Sequence, residues 1–390
     1  MRTSRALLSL ALVTGGVAGS PACVTDHGAL EKPDDRGRGG RAGSGGAAGA
    51  GAGGSAGAPV AGMDSGGLGG RPPDEPPGDD VLTIVNGIVD AAQVRLCFRA
   101  SSAGDERFVS GPPEAAVFGY ARALTIRELD GVDFELDSLE PVVIAGELEL
   151  VAELDCEAAV ARASDEQAAA DPGELGTAGA GGAAEPPPPP RLRTGALPIL
   201  PAGTLTRGRS TLYAASGCIG GPAFVADNDQ LACGTEYSGR SPTLGAVWVN
   251  LSRRSRIGKL GLQVVQASVA TEDVSIQSKR ITASSEPAIA IQSFVAYGTV
   301  APRVAHVEAS SDDYGANTQL FMIEARGDLA SSSTETWQAV RARAGIERVE
   351  DGQTYAIVVV GPSIGLAEEG FWNPPAFVLV PTDPTRADAQ

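Results

Sequence analysis

Gly361-Pro362-Ser363-Ile364-Gly365 directly follows an apolar run at 355–360. That strand-then-turn spacing lifts a serine nucleophile above the sheet of many hydrolases. The serine needs a histidine base, which in that arrangement lies later in the chain. Only His27 and His306 are present, and both precede Ser363. A lysine three residues after a serine is another activator, but Ala29, Arg256 and Ile276 stand three before Lys32, Lys259 and Lys279. The segment therefore reads as the turn ending a core strand, and no catalytic residue is expected. A secreted serine hydrolase using Ser363 is the alternative.

Oxygen ligands for calcium could come from Asp130, Asp133, Glu135 and Asp137, or from Asp227, Asn228 and Asp229. Calcium takes about six to eight oxygens. Yet Asp133, Glu135 and Asp137 have the spacing of one wet strand face, so no metal ligand is expected. A calcium-dependent adhesin is the second alternative. Zinc is not expected either, because no cysteine pair has C-x-x-C spacing and histidine is scarce. No cofactor is implied. Trp248, Trp337 and Trp372 are too scattered for a sugar-stacking stripe and read as packing residues.

The thiol with the clearest task is Cys23. Arg2 and Arg5 open a short basic segment, an apolar run covers residues 6–18, and Ser20-Pro21-Ala22 supplies small residues for cleavage. The run is shorter than the roughly 20 apolar residues of a bilayer span. A cysteine at this junction is similar to the lipid acceptor of bacterial lipoproteins, although Ser20 stands where such signals usually carry leucine. Residues 1–22 are expected to be a signal peptide and Cys23 the lipidated residue. Secretion after ordinary cleavage at Ala22 is the simpler variant.

Formal charge is −18, and the leader contributes Arg2 and Arg5 but no acid. Such a surface repels nucleic acid and anionic lipid heads, so no nucleic-acid partner is expected. The expected partners are the membrane, through the anchor, and an envelope or extracellular ligand that the sequence does not name. Setting Cys23 aside leaves Cys97, Cys156, Cys218 and Cys233, an even set suited to disulfides in an oxidising compartment. Proximity favours Cys218–Cys233, leaving Cys97–Cys156 as the second bridge.

These residues must be carried by an uneven chain. Residues 23–80 are a Gly/Ala/Pro tether with too few apolar groups to offset the entropy of ordering. A second low-complexity tract at about 164–190 ends in Pro186–Pro190. The remainder reads as β-structure. Val94, Leu96 and Phe98 alternate with Arg95, Cys97 and Arg99. Leu148, Leu150 and Leu154 alternate with Glu147, Glu149 and Glu153, and Phe134 and Leu136 with Asp133, Glu135 and Asp137. This period puts one face in a core and one in water. Val247, Val249 and Leu251 continue it, while 355–360 and 376–380 read as fully buried strands. Residues 334–344 suit either a helix or a strand.

Four blocks recur in the same order. Ile84-Val85-Asn86-Gly87 with Gln93-Val94-Arg95-Leu96 answers Val264-Val265-Gln266-Ala267 with Asp273-Val274-Ser275-Ile276. Val117-Phe118-Gly119-Tyr120-Ala121 answers residues 294–300. Glu149-Leu150-Val151-Ala152 answers 320–325, and 210–217 with the preceding Leu200-Pro201-Ala202-Gly203 answers 349–361. The second copy resembles a bacterial extracellular family known as domain of unknown function 4397, at 264–268, 296–300 and 349–360. Its Ser-Pro-Asp-Ala-Pro core is replaced by Ser268-Val269-Ala270-Thr271-Glu272, and the first copy has Val89-Asp90-Ala91-Ala92 there. The resemblance spans about 81–217 and 245–362. It implies a β-sandwich outside the cytoplasm and brings no catalytic or ligand-binding residue.

The expected architecture is all-β, with two tandem Ig-like β-sandwich modules after the tether. Module 1 is expected at 81–217, with an insertion at about 164–190. A disulfide-closed connector follows at 218–244 and module 2 at 245–385. The expected role is a lipid-anchored binding or structural protein of the cell envelope, at the outer membrane or cell surface, and not an enzyme.

Overall fold

The computed structural model describes residues 78–383 except 103, 171–190, 206–207, 221–231, 235–236, 238–241, 270, 272, 282–287, 302, 309–317, 327–328 and 364–372. The expected signal peptide at 1–22, Cys23, nearly all of the expected tether and the Pro186–Pro190 run lie outside these residues.

The described chain is all-β and builds two sandwiches from seventeen strands. In the first, β1 (Val81–Asn86), β5 (Ala123–Ile126), β8 (Ser210–Ser216) and β9 (Gly245–Leu251) form a sheet in the order β5-β1-β8-β9. Its partner holds β2 (Gln93–Ser102), β3 (Asp105–Ser110), β6 (Ser138–Gly146) and β7 (Leu192–Ala196), in the order β3-β2-β6-β7, with the short β4 (Phe118–Gly119) also on β2. The second sandwich repeats both sheets. One reads β13-β10-β16-β17, from β13 (Ala305–Glu308), β10 (Lys259–Gln266), β16 (Thr354–Val360) and β17 (Ala376–Pro381). The other reads β12-β11-β14-β15, from β12 (Ile289–Val295), β11 (Val274–Arg280), β14 (Thr318–Arg326) and β15 (Leu329–Thr336). Even the one parallel contact of each sandwich recurs, β1 with β8 and β10 with β16.

Equivalence extends to single bonds. Asn86 Oδ1 accepts from the Ile88 N–H at 3.1 Å, and Gln266 Oε1 accepts from the Ser268 N–H at 3.1 Å. Ala121 donates its N–H to Asn86 O at 2.8 Å, and Gly298 to Gln266 O at 2.9 Å. Both turn residues have positive φ, 53° at Ala121 and 76° at Gly298. Only the glycine takes that conformation without strain.

The sheets stack in four layers, with the β1 and β10 sheets inside. Leu82, Ile84, Tyr213 and Ala246 face the first sandwich's own core, whereas Val85, Leu212, Ala214 and Val247 face the second module. Across the seam stand Val265, Ala356, Val358, Ala376 and Val378. Ile357, Val359, Phe377 and Leu379 point the other way, into the second module's core with Trp337. Buried on both faces, β1, β8 and β16 are covered at every position, which explains why none of them alternates apolar with charged residues and why 355–360 is an unbroken apolar run. Alternating burial survives in β11, on an outer sheet.

Several expectations need correction. The strand 245–251 pairs with β8 along its whole length, so it completes module 1. Module 2 therefore begins with β10, after residues 252–258. The disulfide-closed segment 218–244 joins two strands of one sheet and is no connector between modules. Residues 148–151 form a 3-10 turn, and the counterpart of β14 is β6, so the third repeated block is a coincidence of alternation. Phe134 and Leu136 lie in turns. There Asp133 Oδ1 accepts from the Glu135 N–H at 2.9 Å, a local bond that competes with a ladder.

The tract expected from about 164 begins later, because α1 runs Cys156–Ala170. Alanine is the best helix former, Asp155 Oδ1 accepts from the Ala158 N–H at 2.8 Å, and Ala159 and Ala163 are buried one turn apart. This helix covers the outer face of β6 and β7. Arg95, expected in water, is therefore buried, and its guanidinium donates to the carbonyls of Val151 and Leu154. The ambiguous segment 334–344 is both structures. β15 ends at Thr336, whose hydroxyl accepts from the Ala339 N–H at 3.1 Å and caps α2 (Trp337–Arg343).

Candidate functional site

Two disulfides brace the first module. Cys97–Cys156 ties the start of α1 to β2, and Cys218–Cys233 closes the segment after β8. Beside the second bridge, Asp90 Oδ1 and Oδ2 accept the N–H groups of Ile219 and Gly220 at 2.9 and 2.8 Å. In the second module the corresponding turn is held by Ser268, whose hydroxyl donates to Gly361 O at 2.5 Å. The loops that carry the recurring motif thus hold down the turn after β8 in one sandwich and after its counterpart β16 in the other.

Burial pushes the Asp90 carboxyl up to about 6, against the pull of its backbone N–H donors and Arg193. A folded value above the unfolded one of about 3.9 means that the native state holds this proton more tightly. The contribution is full below about pH 4 and is lost as pH rises through about 6. Two units correspond to about 3 kcal/mol. Wild type is expected to lose stability across this window more steeply than Asp90→Asn, measured by urea titration at pH 4, 5, 6 and 7. Parallel curves would show that Asp90 ionises freely in the fold.

The sequence's other candidates are dispersed. Ser363 is buried, and residues 364–365 of its turn lie outside the described residues. His306 pairs with Gly261, which faces Thr354 at the start of β16. Ser363 lies past the other end of that strand, about 20 Å away. Burial, then the Arg256 charge, lower the His306 pKa. Asp137 is buried, pairs with Arg107 at 2.9 Å and accepts from the Asp133 N–H at 3.1 Å. Burial opposes its ionisation, but these bonds and one from Ser102 outweigh it and hold its carboxyl below the usual range. Among the described residues no three His, Cys, Asp or Glu side chains converge on a metal position. Asp227, Asn228, Asp229 and Trp372 lie outside the described residues. Trp337 is wholly buried and Trp248 packs on the first core.

What the fold does bring together is the junction of the modules. Tyr120 and Tyr297 occupy equivalent places and each reaches across. Tyr120 donates its hydroxyl to Pro374 O at 2.7 Å, and the Tyr297 hydroxyl lies 3.2 Å from Ser216 Oγ. Asn373 adds bonds to the Val89 and Ala91 carbonyls, its N–H at 3.0 Å and its amide at 3.0 Å. This reciprocity is that of a two-fold interface built within one chain.

Beside the seam lies a cleft of about 1190 Å³. Residues 125–128 form one wall and 344–348 the other, with Thr83, Gln353 and Tyr355 between them. Tyr355 donates to Gln353 Oε1 at 2.7 Å, and Gln353 donates to Glu350 Oε2 at 2.8 Å. Glu128, Glu347 and Glu350 outnumber Arg127 and Arg348. Thr83 is buried, and its Oγ1 has no partner among the described residues. Sequence reading missed this set because its members come from segments more than 200 residues apart. The one local sign was a threonine inside the apolar run of β1.

No protein-family model matches this chain, and no curated protein matches it.

Proposed function

We propose that the chain is an exported, lipid-anchored protein of the cell envelope. In this reading a rigid pair of β-sandwiches is held off the membrane by the 23–80 tether and serves a binding role. The observation that carries the reading is the pair of disulfides, which mark a non-cytoplasmic protein. Among the described residues no helix is long and apolar enough to cross a membrane, and in this reading the leader and Cys23 supply the attachment. The small-residue junction before Cys23 and the acidic net charge of −18 support the same address. The resemblance to domain of unknown function 4397 agrees with it.

Metabolic labelling with a clickable fatty acid tests the anchor. Wild type is expected to take up label and partition with membranes, whereas Cys23→Ala is expected to lose both. Equal labelling of the two, or none on wild type, would remove the lipoprotein reading and leave plain secretion.

A further inference from the structure

We propose that the cleft between the modules binds an extended basic peptide, which adds to the free edge of β5 as an extra strand of the inner sheet. Edge-strand addition needs backbone groups facing outward and side-chain contacts that select the guest. In the pairing of β1 with β5, Asn86 donates its N–H to Arg122 O at 3.1 Å. Alternation along an antiparallel ladder then turns residues 122, 124 and 126 toward β1. The N–H and C=O groups of Ala123 and Thr125 face away from it. Neither residue has a further backbone partner among the described residues, and both line the cleft. Thr125 and Ile126 are consecutive in β5 and both line the cleft, which side chains alternating across a strand could not do unless the backbone itself were open to it.

Three observations point to the guest. The cleft's 1190 Å³ exceeds the range of about 300–1,000 Å³ usual for small-molecule sites, so a short peptide suits it better than a metabolite. Thr83 pairs with Thr125 across the ladder, and its buried hydroxyl lines the cleft unpartnered. The equivalent position in module 2 is Gln263, where Oε1 accepts from the Ser252 N–H at 3.1 Å. One copy is thus satisfied internally and the other awaits a partner. Finally, three glutamates against two arginines on the rim, in a chain of charge −18, favour a cationic guest.

The test is a phage library of random linear heptapeptides panned against the full oxidised protein. Recovered peptides are expected to carry net positive charge and to slow amide exchange at Ala123 and Thr125. They should bind Thr125→Pro about tenfold or more weakly, because proline removes an outward N–H that the native sheet does not use. Thr83→Val keeps the side chain's shape and is expected to weaken binding several-fold without lowering the melting temperature. Should Thr125→Pro fail to fold, N-methylation of alternate peptide bonds in the recovered sequence makes the same cut from the other side. No enrichment, acidic consensus peptides, unprotected amides at 123 and 125, or undiminished binding by Thr125→Pro and by N-methylated peptides would each overturn the proposal. An oligosaccharide or a second copy of the chain protecting the same amides in place of a peptide would overturn it too.

Discussion

Val358→Asp is expected to abolish the folded two-module body. Val358 is fully buried on the seam side of β16, in the apolar cluster with Val85, Leu212, Ala214, Val247 and Val265. A carboxylate there is desolvated without a partner, a cost of about 3–5 kcal/mol or more. Domains of this kind have only about 5–15 kcal/mol to lose. Val358→Ala, which only removes methyl groups, should cost about 2 kcal/mol. Gln277→Asp, on the outer sheet, should stay within about 0.5 kcal/mol. Thermal melting and the yield of exported protein check the series. If Val358→Asp melts with Gln277→Asp, the inner sheets are not stacked in solution and the four-layer arrangement is wrong.

The same residue shows what the sequence could disclose. The unbroken apolar runs at 355–360 and 376–380 are legible as buried strands, but not as strands with a second protein surface behind them. Nothing local separates one deep core from two cores meeting at a shared sheet. The strand class, the repeat and both disulfides can be read because period, order and cysteine separation are local or countable. Alternation alone overreached at 148–154, where Leu148 and Val151 turn inward within a 3-10 turn and the alanines of α1 follow. It failed again at 133–137, where Asp133 bonds its own backbone. The strand 245–251 is legible as a strand, but its place in module 1 is not, since a sequence does not say which neighbour a strand pairs with.

The cleft was the least legible feature, for the same reason. Ala123 and Thr125 are unremarkable in sequence, and their outward amides exist only because β5 is an edge. The missing partner of the buried Thr83 hydroxyl shows only once the strand is placed beside the cleft. The motifs that can be read from spacing mostly became structural. Ser268 and Asp90 clamp turns, Asp137 holds a loop, and Ser363 is buried.

Removing the bridge of the first module, by Cys97→Ala together with Cys156→Ala, is expected to cost about 4 kcal/mol. The two cysteines are 59 residues apart, and loop-closure entropy in the unfolded chain gives a value of that size. Loss of Cys218–Cys233, with a separation of 15, should cost about 3 kcal/mol by the same relation. The larger loss should also be uneven in space. Cys156 is the first residue of α1, and apart from the bridge the helix meets the sheet through the small Ala159 and Ala163, the partly buried Val160 and one bond from the Thr194 N–H to Gln167 Oε1 at 3.2 Å. Its amides are expected to exchange far faster in the double variant while those of β8 and β16 stay protected. Undocking would also strip the cover from Arg95, Val142 and Ile144. Native-state hydrogen exchange distinguishes this from uniform weakening. An α1 that exchanges at the rate of the inner sheets would mean that the helix is held by its other contacts without the bridge, and that the bridge acts only on the unfolded chain.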